Sequence, residues 1–224
     1  MPTHDAVRSG NGSGWRPATA FTVTAVESGA SALLATYQTD SPPVTSGRDV
    51  SLLSAVRMSA TFPFISPPSR PDSRTPSPHL IDGGFSDNTG LVAGRRWLEV
   101  ARTALADSRI LLVEIRSTPE PAGLSGEEAT WTIDLTGPLQ TFIASQRAQA
   151  ARIRAEFEAF EMKWNAEHER PLHHVVFSLN DDRMPLSWNL GEADVAAIKR
   201  AWTHSTNKGQ LRKALDFLAR RVQP

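Results

Sequence analysis

Cysteine is missing from all 224 residues. That excludes disulfides, thiolate nucleophiles and cysteine-ligated metal, and leaves the redox compartment open. No run of about 18 apolar residues occurs, so nothing reads as a membrane-spanning helix. The start, Met1-Pro2-Thr3-His4-Asp5, lacks the basic and then apolar pattern of a signal peptide. The chain is therefore expected to be soluble as written, of open localisation, with a membrane-associated parent still compatible. An excess of either charge is also missing: 24 basic residues face 24 acidic ones. That balance gives no electrostatic case for nucleic acid or acidic partners.

What is present reads as an α/β pattern. Phe21 to Val26 alternates apolar and small polar residues, Glu27-Ser28-Gly29-Ala30 turns the chain, and Ser31 to Tyr37 returns, which predicts a β-hairpin. Ser51 to Ala60 reads as a helix with Leu52, Leu53, Val56 and Ala60 at helical spacing, stopped by Phe62-Pro63. Prolines at 67, 68, 71, 76 and 78 predict an exposed loop. Thr89 to Ala106 reads as a helix and Ile110 to Arg116 as a buried strand. With the short strand before them they predict a β-α-β unit and a parallel pair.

Residues 117–137 read as an irregular flap. Pro138 is expected to open a long helix whose apolar stripe runs through Leu139, Phe142, Ile143, Ile153, Phe157, Phe160 and Trp164. Such a stripe means core before it means a lipid surface. His174 to Leu179 reads as a late strand, and Glu192–Trp202 and Gln210–Val222 as closing helices. Residues 1–16 are polar and glycine-rich and read as a flexible arm.

The segment His79-Leu80-Ile81-Asp82-Gly83-Gly84-Phe85-Ser86-Asp87-Asn88-Thr89-Gly90 carries the chemistry. An apolar triplet runs into Asp-Gly-Gly. The glycines allow a sharp turn with φ > 0 and a close approach of backbone. A carboxylate at the end of a buried strand is well placed to deprotonate a partner. Asp87 and Asn88 are expected to brace the turn and cap the following helix.

The rivals to Asp82 are weak. His173 and His174 are adjacent on a strand and point to opposite faces, which argues against one metal taking both. His79 stands three positions from Asp82 and is expected on the other face. His4, His168 and His204 read as surface residues, and Glu114 and Glu156 as strand-end and helix-surface charges. No metal site is expected.

Upstream lie Ala55-Val56-Arg57-Met58-Ser59-Ala60 and Phe62-Pro63 with Pro68. This ordered set, followed by Asp82-Gly83-Gly84 and Asp87-Asn88, resembles the patatin-like phospholipase family. Weaker likeness extends to Arg16-Pro17, Phe21 to Gly29, Ile110 to Arg116, His174 to Leu179 and Pro185 to Trp188. The resemblance implies an α/β fold, an incomplete three-layer α/β/α sheet with flanking helices. Residues 17–224 would be the C-terminal part of a patatin-like domain, with 138–224 a helix-rich extension. It implies a Ser-Asp dyad with Asp82 as general base, supported by Gly83, Gly84, Asp87 and Asn88. Lipid or another acyl ester would be the substrate, a membrane surface a possible partner, and no cofactor would be required.

The nucleophile that the resemblance requires sits in Gly-x-Ser-x-Gly, and no such run occurs in the sequence. Ser13, in Asn11-Gly12-Ser13-Gly14-Trp15, lacks the first glycine and also the last, and Ser31, in Gly29-Ala30-Ser31-Ala32-Leu33, lacks the last. The serine is thus expected on an upstream half of the domain. The alternatives are a non-catalytic binding domain or a truncated fragment, the latter poorly soluble because its sheet edges would be open.

Overall fold

The computed structural model describes residues 17–37, 39, 41, 44–45, 49–61, 66–71, 77–116, 130–179 and 190–219, with backbone alone over 130–144. The arm expected at 1–16, the Phe62-Pro63 stop, most of the 117–137 flap, His4 and the Pro185 to Trp188 likeness lie outside the described residues. The chain is α/β in class and divides into two compact units. One comprises Met1–Val100 with Phe142–Arg154, the other Ala101–Thr141 with Ala155–Pro224.

In the first unit the hairpin forms as its alternation predicts. β1 (Ala20–Ala25) and β2 (Ser31–Ala35) pair antiparallel, with Phe21 opposite Leu34 and Val23 opposite Ala32. Gly29 sits at φ 68° in the turn between them, a conformation that costs glycine nothing. β3 (Leu80–Asp82) adds antiparallel to the other side of β1, with Val23 opposite Asp82, to give the order β2-β1-β3. Val23 and Leu80 are fully buried and anchor a core that includes Leu34, Ala55 and Met58. Burial of each large apolar side chain contributes about 1.5–3 kcal/mol.

α1 (Leu52–Ser59) is started by Ser51, whose hydroxyl accepts the Ser54 N–H at 3.2 Å. Its buried face differs from the expected one. Ala55 and Met58 point inward, whereas Leu53 and Val56 are exposed. The small Ala55 lets the helix approach the sheet closely, and that choice rotates the larger residues outward. α2 (Leu91–Val100) is shorter than expected at both ends. Gly90 stands at φ 71°, so the helical path cannot extend back through it, and residues 101–107 form turns.

The predicted parallel pairing of strands 80–82 and 110–116 is not what forms. Both edges of β3 are taken. On the side away from β1, Leu80 N–H donates to Ser69 C=O at 2.7 Å and Leu80 C=O accepts from Ser69 N–H at 2.9 Å. Asp82 N–H donates to Thr61 C=O at 2.9 Å. No backbone group remains on β3 for another strand.

In the second unit β4 (Ile110–Arg116) pairs instead with β5 (Leu172–Ser178), parallel, with Leu112 opposite His174. The connection between them contains α3 (Thr130–Glu167). This helix starts before Pro138, which lies within it. The proline ring fixes a φ compatible with helix and forfeits one backbone hydrogen bond. Ile153, Phe157 and Trp164 on its stripe are buried. The His174 ring meets Phe157 of α3 edge-on at 5.1 Å, and the His173 ring meets Phe217 of the last helix at 5.1 Å. Adjacent strand residues face opposite ways, so the parallel pair lies between two helix layers. α4 (Glu192–Trp202) and α5 (Ser205–Ala219) close the unit.

Candidate active site

Asp82 ends β3 and opens a single 3₁₀ turn, Gly83–Phe85. Its backbone is fixed on both sides. The N–H donates to Thr61 C=O, and the C=O accepts from the Thr24 hydroxyl at 3.0 Å. Its carboxylate is fixed on one oxygen only. Oδ1 accepts the Gly84 N–H at 2.7 Å, while Oδ2 makes no hydrogen bond or ion pair among the described residues. The half-buried side chain lines a cavity of ≈ 260 Å³ with Phe21, Thr22, Ser59, Gly83, Gly84, Asp87 and Asn88 among its walls.

The two glycines are required for space and not for a left-handed backbone. Neither has positive φ, since 3₁₀ geometry is open to any residue. A Cβ on Gly83 would lie 2.3 Å from Thr22 O. On Gly84 it would meet the side-chain oxygens of Asn88 at 3.0 Å and Asp82 at 3.2 Å. The sequence-derived expectation of φ > 0 is thus corrected, while close approach of backbone holds. Thr22 O is held from a second direction, accepting the Ser59 hydroxyl at 2.7 Å.

Asp87 is buried and wholly engaged. Oδ1 accepts from Thr89 N at 3.1 Å, Thr89 Oγ1 at 2.8 Å and Gly90 N at 2.9 Å, and Oδ2 accepts from Ala93 N at 3.2 Å. It thereby satisfies amides at the start of α2 that have no intrahelical partner. Asn88 is exposed, its amide oxygen over Gly84. Gln149 donates to Ser86 C=O at 3.0 Å and ties the turn to the Phe142–Arg154 stretch of the same unit.

His79 is engaged elsewhere. Its Nδ1 lies 2.6 Å from Glu27 Oε1, and its backbone N–H reaches both Glu27 oxygens at 3.1 Å. Those bonds hold the Glu27 carboxyl down at about 2. Of the histidines read as surface residues, His204 is exposed, but His168 is half-buried and stacks on Trp164 with ring centroids 4.2 Å apart.

The largest surprise lies in the second unit. Glu114, read as a strand-end charge, is 5% exposed. It accepts from Arg116 Nε at 2.7 Å and lies 3.0 Å from His174 Nε2. Its sequence signal was a glutamate inside an apolar strand at the same parity as Arg116, which places both on one face. Among the described residues no three His, Asp or Glu converge as metal ligands.

Comparison with known proteins bears on the first unit. The family model described as patatin-like phospholipase matches residues 15–93. It ends short of Ile110 to Arg116 and His174 to Leu179, where weaker likeness was expected. Neither the curated proteins nor the solved structures contain a match. The matched span holds β1, β2, α1, β3, the Asp82 turn and the Asp87 anchor, and over these residues the chain is similar to patatin-like phospholipases.

Proposed function

We propose that the chain supplies the aspartate side of a Ser-Asp dyad in a patatin-like acyl hydrolase that cleaves ester bonds of phospholipids or other lipids. One observation carries this reading. Asp82 accepts the Gly84 N–H on one carboxylate oxygen, the other oxygen has no partner among the described residues, and the side chain lines a cavity. A general base needs that division of labour: one oxygen fixes orientation and the other takes the proton.

The serine comes from a Gly-x-Ser-x-Gly segment that these residues do not encode. Its hydroxyl attacks the ester carbonyl as Oδ2 of Asp82 accepts the proton, and backbone amides of the same upstream half stabilise the oxyanion. Asp82 returns the proton to the leaving alcohol. Water, deprotonated by the same oxygen, then releases the fatty acid. No metal or organic cofactor enters. The outward Leu53 and Val56 on α1 offer apolar area for the upstream half to cover.

The test joins an upstream Gly-x-Ser-x-Gly half to residue 1 and follows hydrolysis of a chromogenic acyl ester. Asp82→Asn is expected to lower the rate by about 10²–10⁴-fold with the fold unchanged by circular dichroism. Full activity of that variant removes Asp82 from the mechanism. The missing nucleophile run favours a second reading, a non-catalytic lipid- or protein-binding domain. That reading gains if the joined protein shows no labelling by a fluorophosphonate.

A further inference from the structure

The second unit has an apolar slot of ≈ 360 Å³ at the C-terminal ends of β4 and β5, walled by Ile115, Phe177, Ile198 and Trp202. Crevices beyond the carboxyl ends of parallel strands are where open α/β sheets take ligands. Ile115, next to last in β4, is 82% exposed and Trp202 is 53% exposed, although Trp202 stacks on Phe177 at 5.1 Å. Large apolar side chains left bare around a concavity mark a binding surface.

Of the charged and amide side chains that line the slot, those of Asn207 and Arg116 are engaged. Asn207 is buried and bonds Ser178 N, Ser178 O and Ala201 O at 3.1, 2.8 and 2.8 Å. Arg116 is neutralised by Glu114. Lys199 is the exception: it lines the slot, is exposed, and makes no hydrogen bond or ion pair among the described residues. Arg200 beside it adds a second exposed cation to the last turn of α4. An apolar trough with an uncompensated ammonium at its rim complements a carboxylate on an alkyl chain. The volume, near the lower end of small-molecule pockets, suits one chain and not two.

We infer that this slot binds a single-chain carboxylate amphiphile, its carboxylate on Lys199 and its chain against Ile115, Ile198 and Trp202. The site is independent of Asp82 and stands whether or not the hydrolase reading holds.

The test is calorimetric titration of the full 224-residue chain with decanoate, decanol and acetate, each below any micelle concentration. One decanoate is expected to bind per chain, more tightly than decanol, with no heat from acetate. Lys199→Gln weakens decanoate about tenfold, the scale of a lost hydrogen bond to a charged group, and leaves decanol unchanged; Lys199→Arg retains decanoate. Ile115→Asp, at a position too exposed to matter for folding, abolishes both alkyl ligands. Absence of decanoate binding to the wild type overturns the proposal. So does decanoate binding unaltered in Ile115→Asp, or equal loss of decanol and decanoate in Lys199→Gln.

Discussion

Replacing Gly83 with alanine tests how tightly the Asp82 turn is seated on β1. The new Cβ would stand 2.3 Å from Thr22 O, 2.5 Å from Thr22 C and 2.6 Å from Thr22 Cβ. All are on or next to the backbone of a strand bonded on both sides, so no flexible side chain can swing clear. Thr22 O also receives the Ser59 hydroxyl, which resists movement of the carbonyl. Overpacking of this kind costs about 1–3 kcal/mol or more. Gly84→Ala meets only the ends of two side chains and is expected to lose under about 1 kcal/mol. Gly94→Ala, in α2 with nothing within 4 Å of the new Cβ, is expected to gain about 0.5–1 kcal/mol. Native-state hydrogen exchange at the Val23 and Leu80 amides reads the first unit by itself. At about 1.4 kcal/mol per factor of ten, Gly83→Ala should lower protection roughly 5- to 150-fold. Protection in Gly83→Ala equal to wild type, or a larger loss in Gly84→Ala, would refute the proposed seating.

Further expectations follow from single side chains. Glu114→Ala leaves His174 and Arg116 facing a buried gap and should cost about 3–5 kcal/mol, whereas Glu114→Gln, which keeps the volume, should cost less; denaturant titration of the second unit ranks them. Asp87→Ala removes the anchor of α2 and should cost up to about 2 kcal/mol, read as faster exchange at Gly90 and Ala93. The Glu27 carboxyl, drawn from 4.5 to about 2 by His79, stabilises the fold above the unfolded value near 4.5 and loses that contribution as pH falls toward about 2. Nuclear magnetic resonance titration of its side-chain carbon should show the low midpoint, and His79→Ala should return it toward the ordinary carboxylate range.

Local features were the ones legible in the sequence. Alternation and a Glu-Ser-Gly-Ala turn specify the β1–β2 hairpin, and three- and four-residue spacing identifies Ile153, Phe157 and Trp164 as core. The ordered motifs that end at Asp82 and Asn88 carry the family resemblance, and the family model matches the span that holds them. Partnership was less legible. The edge of β3 is filled by Thr61 and Ser69, which come from a stretch with no periodicity to announce it. Whether Leu53 or Ala55 faces inward depends on how near α1 lies to the sheet, and hydrophobicity alone favours the larger residue. Glu114 is buried because His174, far along the chain, arrives beside it through a parallel pairing that no local pattern encodes.

Strand β3, three residues long and bonded along both margins, has a bearing on self-association. Fibril growth and domain exchange begin where a ribbon presents an unfilled row of amides and carbonyls to a passing copy. Around Asp82 that row is already filled by the chain's own irregular segments, so the catalytic candidate sits at a place where a foreign polypeptide cannot dock by extending the sheet.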